Sequence, residues 1–296
     1  MLTSSDNTMD RLRFLAKVVG LDRPLRILDV GANPMDRSAP YQPLLDIGLC
    51  HVIGFDPQEE TIQELGSGDG GVETYLPYAV GDGSEKKLNL YHGTGLASFF
   101  EIRPETLSYV RGLRRAARKT GETVLQTKCL SDMAEVSDID FLKIDVQGAE
   151  LEIFRNAQDV LSSVTAIQTE VSFYPLYENQ PSFGEVDLCL REFGFLPFNF
   201  VHIVRRIVLS RWRNVVAKTS PKQVLDGDMV YLRDFSKPDT LSLRSVQVLS
   251  LLAESVLQAS DLTLRCLDIL ERRGAVDMGE VEKFISEFHA PINNGQ

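Results

Sequence analysis

Three short apolar runs of the chain end in acids and glycines whose types and spacing could serve ligand binding. These runs are ILDVGANP with Asp29 and Gly31, GFDP with Asp56, and DFLKIDVQGAE with Asp145 and Gly148. Short apolar runs bounded by turn residues are typical of strands buried inside a parallel sheet. Because the carboxyl ends of parallel strands meet at one edge of the sheet, we expect these polar groups to converge on one crevice.

The polar groups at this edge indicate which ligand the crevice suits. Gly31 can take a positive φ and lets a ligand lie against bare backbone. Converging carboxylates suit ribose hydroxyls and an ammonium or sulfonium group better than a pyrophosphate, which dehydrogenases bind with a G-x-G-x-x-G loop. Here Asn33 and Pro34 follow Gly31, and the other glycines of that loop are missing. The sequence therefore favours S-adenosylmethionine over NAD.

Asp56 stands where nucleotide-binding α/β folds place an acid on the ribose hydroxyls. The alternative is that Asp56 caps a helix over residues 58–65. The two roles compete only mildly, and we favour ribose binding.

Hydrophobic periodicity places these motifs in an α/β chain with a helical C-terminal end. We expect helices over residues 6–20 and 103–121, one that follows Glu150 and one that ends at 193. The expected strands are residues 25–30, 51–55, 72–79, 87–91, 123–130, 140–145, 164–171, 194–200 and 228–232. We divide the chain into a domain of residues 1–238 and a C-terminal helical extension of residues 239–296. The apolar stripes of the extension need a partner, which is either a second copy of the chain or the sheet domain itself.

The composition is that of a soluble globular protein, with 43% hydrophobic and 25% charged residues. The net charge of −11 argues against broad nucleic-acid binding, because phosphate contacts need a basic field. The four cysteines are scattered and form no C-x-x-C pair, which argues against a disulfide framework or a zinc site. No apolar run has the length of a signal peptide or a membrane span, so we expect a cytoplasmic protein.

Two segments depart from the acidic balance of the chain. Residues 103–119 carry six cations and one acid, and residues 205–222 carry six cations and no acid. Both lie near the carboxyl half of the expected sheet, where an acceptor would bind. They are either solvated faces or a surface for an anionic acceptor, such as a nucleotide-linked sugar or an anionic glycan.

Together these motifs resemble the FkbM-type methyltransferase family. The resemblance covers roughly residues 25–232 and is carried by ILDVGANP, GFDP, AVGDG, DFLKIDVQGAELEIFRNA and IQTEVSF. It implies an α/β fold with a Rossmann-like seven-stranded class I methyltransferase sheet and helices on both faces. It also implies S-adenosylmethionine as donor and O-methylation of a sugar, glycan or secondary metabolite. Family members commonly carry Asn-Ile-Gly after DVGAN, where this chain has Pro34, Met35 and Asp36.

The resemblance also implies which residues near the first two strands would bind the cofactor. Asp29 matches the family motif, and Gly31, Ala32 and Asn33 would line the methionine and ribose portion. Asp56 would hold the ribose hydroxyls, where family members more often have Glu.

Further along the chain, the resemblance places Val80 and Asp82 beside the adenine. Asp145, with Gln147, would lie beside the methyl group that is transferred. Methyl transfer is an in-line displacement, so catalysis consists mostly of alignment, helped by a base that deprotonates the acceptor hydroxyl.

Four side chains are candidates for that base: Asp145, Glu150, Glu170 and His202. Glu150 fits better as an acid in the first turn of its helix, and His202 fits a structural histidine. Lys143 lies in a buried strand, where we expect it to snorkel or to pair with a carboxylate. The catalytic candidates that we retain are Asp145, Glu170 and His202.

Asp145 and Glu170 would lie on adjacent strand tips. Two hard oxygen ligands so placed could hold Mg²⁺, which would lower the pKa of a bound hydroxyl. Spacing alone does not distinguish this arrangement from one without a metal.

The leading hypothesis is an S-adenosylmethionine-dependent O-methyltransferase that acts on a small-molecule or glycan acceptor. The alternative is a degenerate methyltransferase fold that serves as a scaffold in a glycan or metabolite assembly pathway. Pro34 and the long helical extension, which suggests a homo-oligomer, are the features that keep this alternative open.

Overall fold

The computed structural model describes residues 4–32, 39–58, 61–63, 71–212 and 220–288. Its strands, in chain order, are β1 (Leu25–Val30), β2 (Cys50–Phe55), β3 (Glu73–Leu76), β4 (Ala79–Val80), β5 (Glu85–Tyr91), β6 (Lys119–Lys128), β7 (Phe141–Ile144), β8 (Ala166–Ser172), β9 (Phe195–Arg206) and β10 (Gln223–Arg233). The helices are α1 (Ser4–Val18), α2 (Gln42–Leu45), α3 (Pro104–Tyr109), α4 (Glu150–Arg155), α5 (Gln158–Ser163), α6 (Phe183–Glu192), α7 (Leu243–Ser255), α8 (Ser260–Arg272) and α9 (Met278–Phe288).

Seven strands form the main sheet in the order β3-β2-β1-β7-β8-β10-β9. The five strands from β3 to β8 are parallel, whereas β10 runs antiparallel to both of its neighbours. The strand order reverses between β1 and β7, which is the switch point where open α/β sheets bind ligands. This sheet confirms the expected seven-stranded Rossmann-like fold.

Helices cover both faces of the sheet because side chains of β1 alternate between them. Leu25 and Ile27 point into a core that contains residues of α1, α7, α8 and α9. Leu28 and Val30 point into a second core, with residues of α4, α5 and α6. This period of two is the one expected of a strand buried on both faces.

The C-terminal extension packs on the sheet domain of the same chain. Its apolar positions Val246, Leu249 and Phe284 are fully buried in the core that α1 and the sheet share. Arg244, at the start of α7, donates to both carboxylate oxygens of the buried Asp140 just before β7, at 3.1 and 2.7 Å. The apolar stripes of the extension are therefore buried within the chain itself. They give no support to the expected homo-oligomer, which stays a prediction.

The expected helix over residues 103–121 is mostly wrong. Only Pro104–Tyr109 is helical, and the chain becomes a strand again at Lys119. Buried Val110, Leu113 and Ala117 have helical spacing, but the backbone there pairs with residues 207–209 and Gly112 adopts φ +99°. Tertiary pairing thus overrides the local pattern.

The expected strand over residues 72–79 is divided at Pro77, which has no N–H for a ladder. β3 stays in the main sheet, and β4 joins a separate three-stranded sheet in the order β4-β6-β5. Within the described residues, no helix is long and apolar enough to cross a membrane.

Candidate functional site

A cleft opens at the carboxyl ends of β1, β2 and β7, beside the switch point of the sheet. Its lining includes Gly31, Asp56, Val80, Asp145 and Gln147. The expected convergence of strand tips on one crevice is therefore present. Thr94, Gly95, Ala97 and Phe99, from the segment after β5, form another part of the wall.

Gly31 allows the tips of β1 and β7 to meet. It adopts φ +83°, and a Cβ at this position would lie 1.9 Å from the carbonyl oxygen of Asp145. Its N–H donates to the carbonyl of Phe55 at the end of β2 (2.8 Å). Only glycine fits this conformation and this space, so the residue holds three strand tips together at the cleft.

Asp29 does not line the cleft but is buried near the end of β1, where it binds neighbouring side chains. It is 4% exposed, and its carboxylate accepts hydrogen bonds from Lys143 Nζ (2.8 Å) and from the hydroxyl of Tyr41 (2.7 Å). Burial would lower the pKa of Lys143, but the charges of Asp29 and Asp145 outweigh that effect and raise it. Lys143 is therefore a cation that pairs with a buried carboxylate, which was one of its two expected roles.

Asp56 both lines the cleft and makes the bond that the capping alternative requires. Its Oδ1 accepts from the backbone N–H of Gln58 at 2.8 Å. Burial raises the pKa of Asp56, and the hydrogen bonds from Gln58 and Thr61 oppose this rise. The carboxylate is therefore held at the end of β2, and Asp56 also lines the cleft.

Gln147 connects the two expected catalytic carboxylates. It follows β7 in a left-handed conformation, with φ +55°. Its Nε2 donates to Asp145 Oδ1 at 2.8 Å and to Glu170 Oε2 at 2.9 Å. Its Oε1 accepts from the hydroxyl of Tyr177 at 2.9 Å. Because Tyr177 holds the amide oxygen, the amide NH₂ is directed at both carboxylates.

The hydroxyl of Tyr177 is the partner that sequence reasoning missed. It lies in the segment after β8, 30 residues from Gln147, and also contacts the carbonyl of Leu96 at 3.1 Å. No motif marks it, since neither its type nor its spacing distinguishes it from other tyrosines in the chain. Ser98 donates to the carbonyl of Gln147 at 2.7 Å and fixes the same turn from the other side.

Glu150 lies in the first turn of α4, as expected. Its carboxylate accepts from the N–H of Val146 (2.9 Å) and of Gly148 (3.0 Å), which closes the turn before the helix. Burial, with the nearby charge of Asp145, raises the pKa of Glu150 to about 7.

The region around Glu170 is rich in buried acids. Burial, followed by the charges of Asp145 and Asp226, raises the pKa of Glu170 well above its usual value. Burial also raises the pKa of Asp226 to about 7, although Arg206 acts in the opposite direction. The protonated form of Glu170 is therefore favoured, and a protonated carboxyl group is a poor base.

Mg²⁺ finds no support at this site. Among the residues that the structure describes, no group of three or more His, Cys, Asp or Glu side chains could hold a metal ion. The amide of Gln147 bridges Asp145 and Glu170, the pair that had been expected to hold the metal.

The remaining expected residues lie at different distances from the cleft. Val80 lines the cleft. Ala32 is buried, and its N–H donates to the carbonyl of Phe55 (3.1 Å). Asp82 is exposed, binds Ser84 and Lys86, and is not part of the lining.

His202 lies on the edge strand β9, opposite Asp228 of β10, which is itself opposite Glu170 of β8. It is therefore two strands away from Glu170 and does not line the cleft. Asn33, Pro34, Met35 and Asp36 lie outside the described residues. The cofactor and catalytic roles of all these residues stay predictions.

The chain matches the family described as "Methyltransferase FkbM domain" over residues 29–197. Among solved structures it is similar to magnesium protoporphyrin IX methyltransferase from Synechocystis PCC 6803 with bound SAM. The two share 12% sequence identity over 79% of this chain and 86% of that chain, with a TM-score of 0.37. A putative methyltransferase from Thermoplasma acidophilum shares 11% identity over 71% of this chain and 69% of its own, with a TM-score of 0.33. A search of curated proteins finds no match.

Proposed function

The chain belongs to the FkbM methyltransferase domain family, and from this premise we propose that it transfers the methyl group of S-adenosylmethionine to a hydroxyl of a sugar, glycan or other metabolite. One observation carries the proposal. The buried carboxylate of Asp56 opens into the same cleft as Gly31 and Asp145, at the switch point of the sheet and within the matched residues 29–197.

The side chains of the cleft fit the proposed donor in charge and position. Asp56 stands at the tip of β2, where α/β folds bind ribose hydroxyls. Asp145 brings a carboxylate to the tip of β7, and a carboxylate suits a cationic sulfonium better than a pyrophosphate. Val80 adds an apolar wall against which a base can lie. When bound, S-adenosylmethionine supplies an electrophilic methyl group.

Asp145 is the carboxylate that we assign to the acceptor hydroxyl. It lines the cleft, and Gln147 fixes one of its oxygens at 2.8 Å. Glu170 is held by the same amide, but burial and nearby acids raise its pKa and favour its protonated form, and His202 lies two strands farther along the sheet. Asp145 would orient the hydroxyl and accept its proton while Gln147 and Tyr177 keep the carboxylate in place.

Calorimetric titration with S-adenosylmethionine tests the cofactor half of the proposal. Asp56→Ala should weaken binding by tenfold or more, since about 1.5–3 kcal/mol is typical for hydrogen bonds to a charged group. Asp268→Ala is the matched control: it removes an exposed carboxylate of α8, away from the cleft, and should change affinity less than about twofold. Absence of binding to the wild-type chain at millimolar cofactor would refute the enzyme and favour the scaffold.

Asp145→Asn tests the catalytic half. The substitution keeps the shape and the bond to Gln147 but removes the base, so turnover should fall by about 10²-fold or more, and cofactor affinity should fall much less than turnover. The assay follows cofactor-dependent methyl incorporation into nucleotide sugars and glycan fragments. If wild type and Asp145→Asn turn over an accepted substrate equally fast, the assignment of Asp145 is wrong.

A further inference from the structure

The fold brings together the two basic segments that lie about 90 residues apart in the sequence. The N–H of Arg111 donates to the carbonyl of Ile207 (2.9 Å), and the N–H of Leu209 donates to the carbonyl of Tyr109 (2.7 Å). Val110 and Val208 form a β-bridge between these bonds. Paired backbones lie roughly 5 Å apart and each residue adds about 3.3 Å, so arginines near the bridge share one surface.

We call this surface the basic ridge and define it by Arg111, Arg114, Arg115, Arg118, Arg205 and Arg211, all of which are exposed. Across the described residues, none of these six side chains has a carboxylate within ion-pair distance. Some cations elsewhere do pair, as Lys143 does with Asp29 and Arg244 with Asp140, whereas others, such as Lys17 and Arg272, also lack an ion pair among the described residues. What distinguishes the ridge is that the bridge between Val110 and Val208 brings unpaired arginines of two segments together in a chain with a net charge of −11.

The ridge is connected to the cleft through packed aromatic side chains. Tyr109 stacks on Tyr174 with ring centroids 5.0 Å apart. Three residues later, Tyr177 donates to the amide of Gln147, which holds Asp145. Tyr177 and Val110 belong to one apolar cluster, so the ridge and the catalytic carboxylate share a support.

A second connection runs through β9 and β10. Arg206 immediately precedes Ile207, whose carbonyl accepts from the N–H of Arg111. The positive charge of Arg206 acts to lower the pKa of Asp226, and the negative charge of Asp145 acts to raise it. Arg206 is adjacent to Arg205 of the ridge, so cations of β9 lie within electrostatic reach of the buried acids of β10.

We propose that the basic ridge binds a phosphate-bearing portion of the methyl acceptor while the acceptor hydroxyl reaches Asp145. Arginine guanidinium groups match the geometry of phosphate oxygens, and unpaired exposed arginines have no competing carboxylate to displace. The acceptor class is therefore a phosphorylated or nucleotide-linked sugar. This proposal rests on the proposed function, but binding of the anion can be measured without turnover.

The test uses inorganic pyrophosphate and UDP-glucose as probes in calorimetric titrations of the full chain at low and high salt. The wild-type chain should bind both probes, and binding should weaken as salt rises. The double variant Arg111→Ser/Arg205→Ser takes one arginine from each segment and should lose about tenfold or more in affinity for each probe. Lys17→Ser/Arg272→Ser is the matched control, because it removes the same charge from exposed positions of α1 and α8 and should bind as the wild type does.

S-adenosylmethionine titration of the same variants separates this proposal from the proposed function. If Arg111→Ser/Arg205→Ser binds S-adenosylmethionine like the wild type but binds pyrophosphate more weakly, the ridge proposal is supported. If the wild-type chain binds the anionic probes but not S-adenosylmethionine, only the proposed methyltransferase function is contradicted. Equal loss in both double variants, or no binding of either probe by the wild type, overturns the ridge proposal. It is also overturned if a single-stranded oligonucleotide, or phosphatidylglycerol vesicles compared with phosphatidylcholine vesicles, binds far more tightly than UDP-glucose.

Discussion

Gly31 is the residue on which the geometry of the cleft depends most directly. An alanine Cβ would overlap the carbonyl oxygen of Asp145 and would also require a strained positive φ of +83°. The neighbour is backbone, so relief requires the tips of β1 and β7 to separate. We expect Gly31→Ala to lower the free energy of unfolding by about 3 kcal/mol or more, as measured by urea denaturation.

Gly48 provides the control for Gly31. It has a similar φ of +71°, but a Cβ there would meet nothing within 4 Å. Gly48→Ala should therefore cost only the conformational strain, about 1 kcal/mol. Equal costs at the two positions would mean that the contact between the strand tips carries no energy.

Glu170 makes the stability of the chain dependent on pH. Its folded pKa is raised, so the native state holds a proton that the unfolded chain releases as pH rises above about 4.5. The resulting stability is fully present below the unfolded pKa and is lost as pH rises toward and through the folded pKa. Glu150 and Asp226, both with a pKa raised to about 7, act in the same direction.

Glu170→Gln should reduce this dependence, because the amide keeps the shape and cannot ionise. As pH rises above about 4.5, the free energy of unfolding should fall less steeply in the variant than in the wild type, by up to about 1.4 kcal/mol per pH unit. Glu192→Gln removes an exposed carboxylate of α6 and is the control, whose profile should follow that of the wild type.

At the scale of elements, the sequence predicts the strands that a local pattern of apolar residues determines. β1, β2, β7 and β8 follow from short apolar runs, and the predicted β1, residues 25–30, has the observed bounds. The tips of these strands carry Gly31, Asp56 and Asp145, so most of the cleft could be predicted as well. Their parallel pairing explains why residues far apart in the chain meet at one edge.

What the sequence could not predict depends on partners from distant segments. Residues 110–118 have a helical spacing of apolar side chains, yet their backbone bonds to residues 207–209. Tyr177 holds Gln147 across 30 residues with no motif to indicate it. The turn in which Asp82 binds Ser84 and Lys86 is equally unmarked, and the expected place of Asp82 beside the adenine stays a prediction. Hydrogen bonds and turns of this kind are invisible to periodicity, which reports only burial.

At the scale of the whole molecule, the cleft and the contacts of Arg244 lie at opposite ends of the strands. The cleft opens at the carboxyl ends of β1, β2 and β7, whereas Arg244 binds Asp140 and the carbonyls of Arg23 and Pro24 at the amino ends of β7 and β1. The helical extension therefore acts on the amino ends of the strands, away from the cleft. Its contribution should be to stability, and its effect on cofactor binding should be indirect.

The division into residues 1–238 and 239–296 stays a prediction, and we expect that the two parts do not fold separately. Val246, Leu249 and Phe284 of the extension share one core with α1 and with Ile27 of β1. A chain that ends at Asp239 would expose that face of the sheet and leave the buried Asp140 without Arg244. The combined loss should exceed the 5–15 kcal/mol that stabilises a typical domain.

Circular dichroism during urea unfolding measures this effect. The chain truncated after Asp239 should aggregate or show no cooperative transition. The full-length variant Glu271→Gln changes only an exposed position of the extension, and it should unfold like the wild type. If the chain that ends at Asp239 unfolds cooperatively within about 1 kcal/mol of the full chain, then the core shared with the extension contributes little, and the extension is an independent appendage.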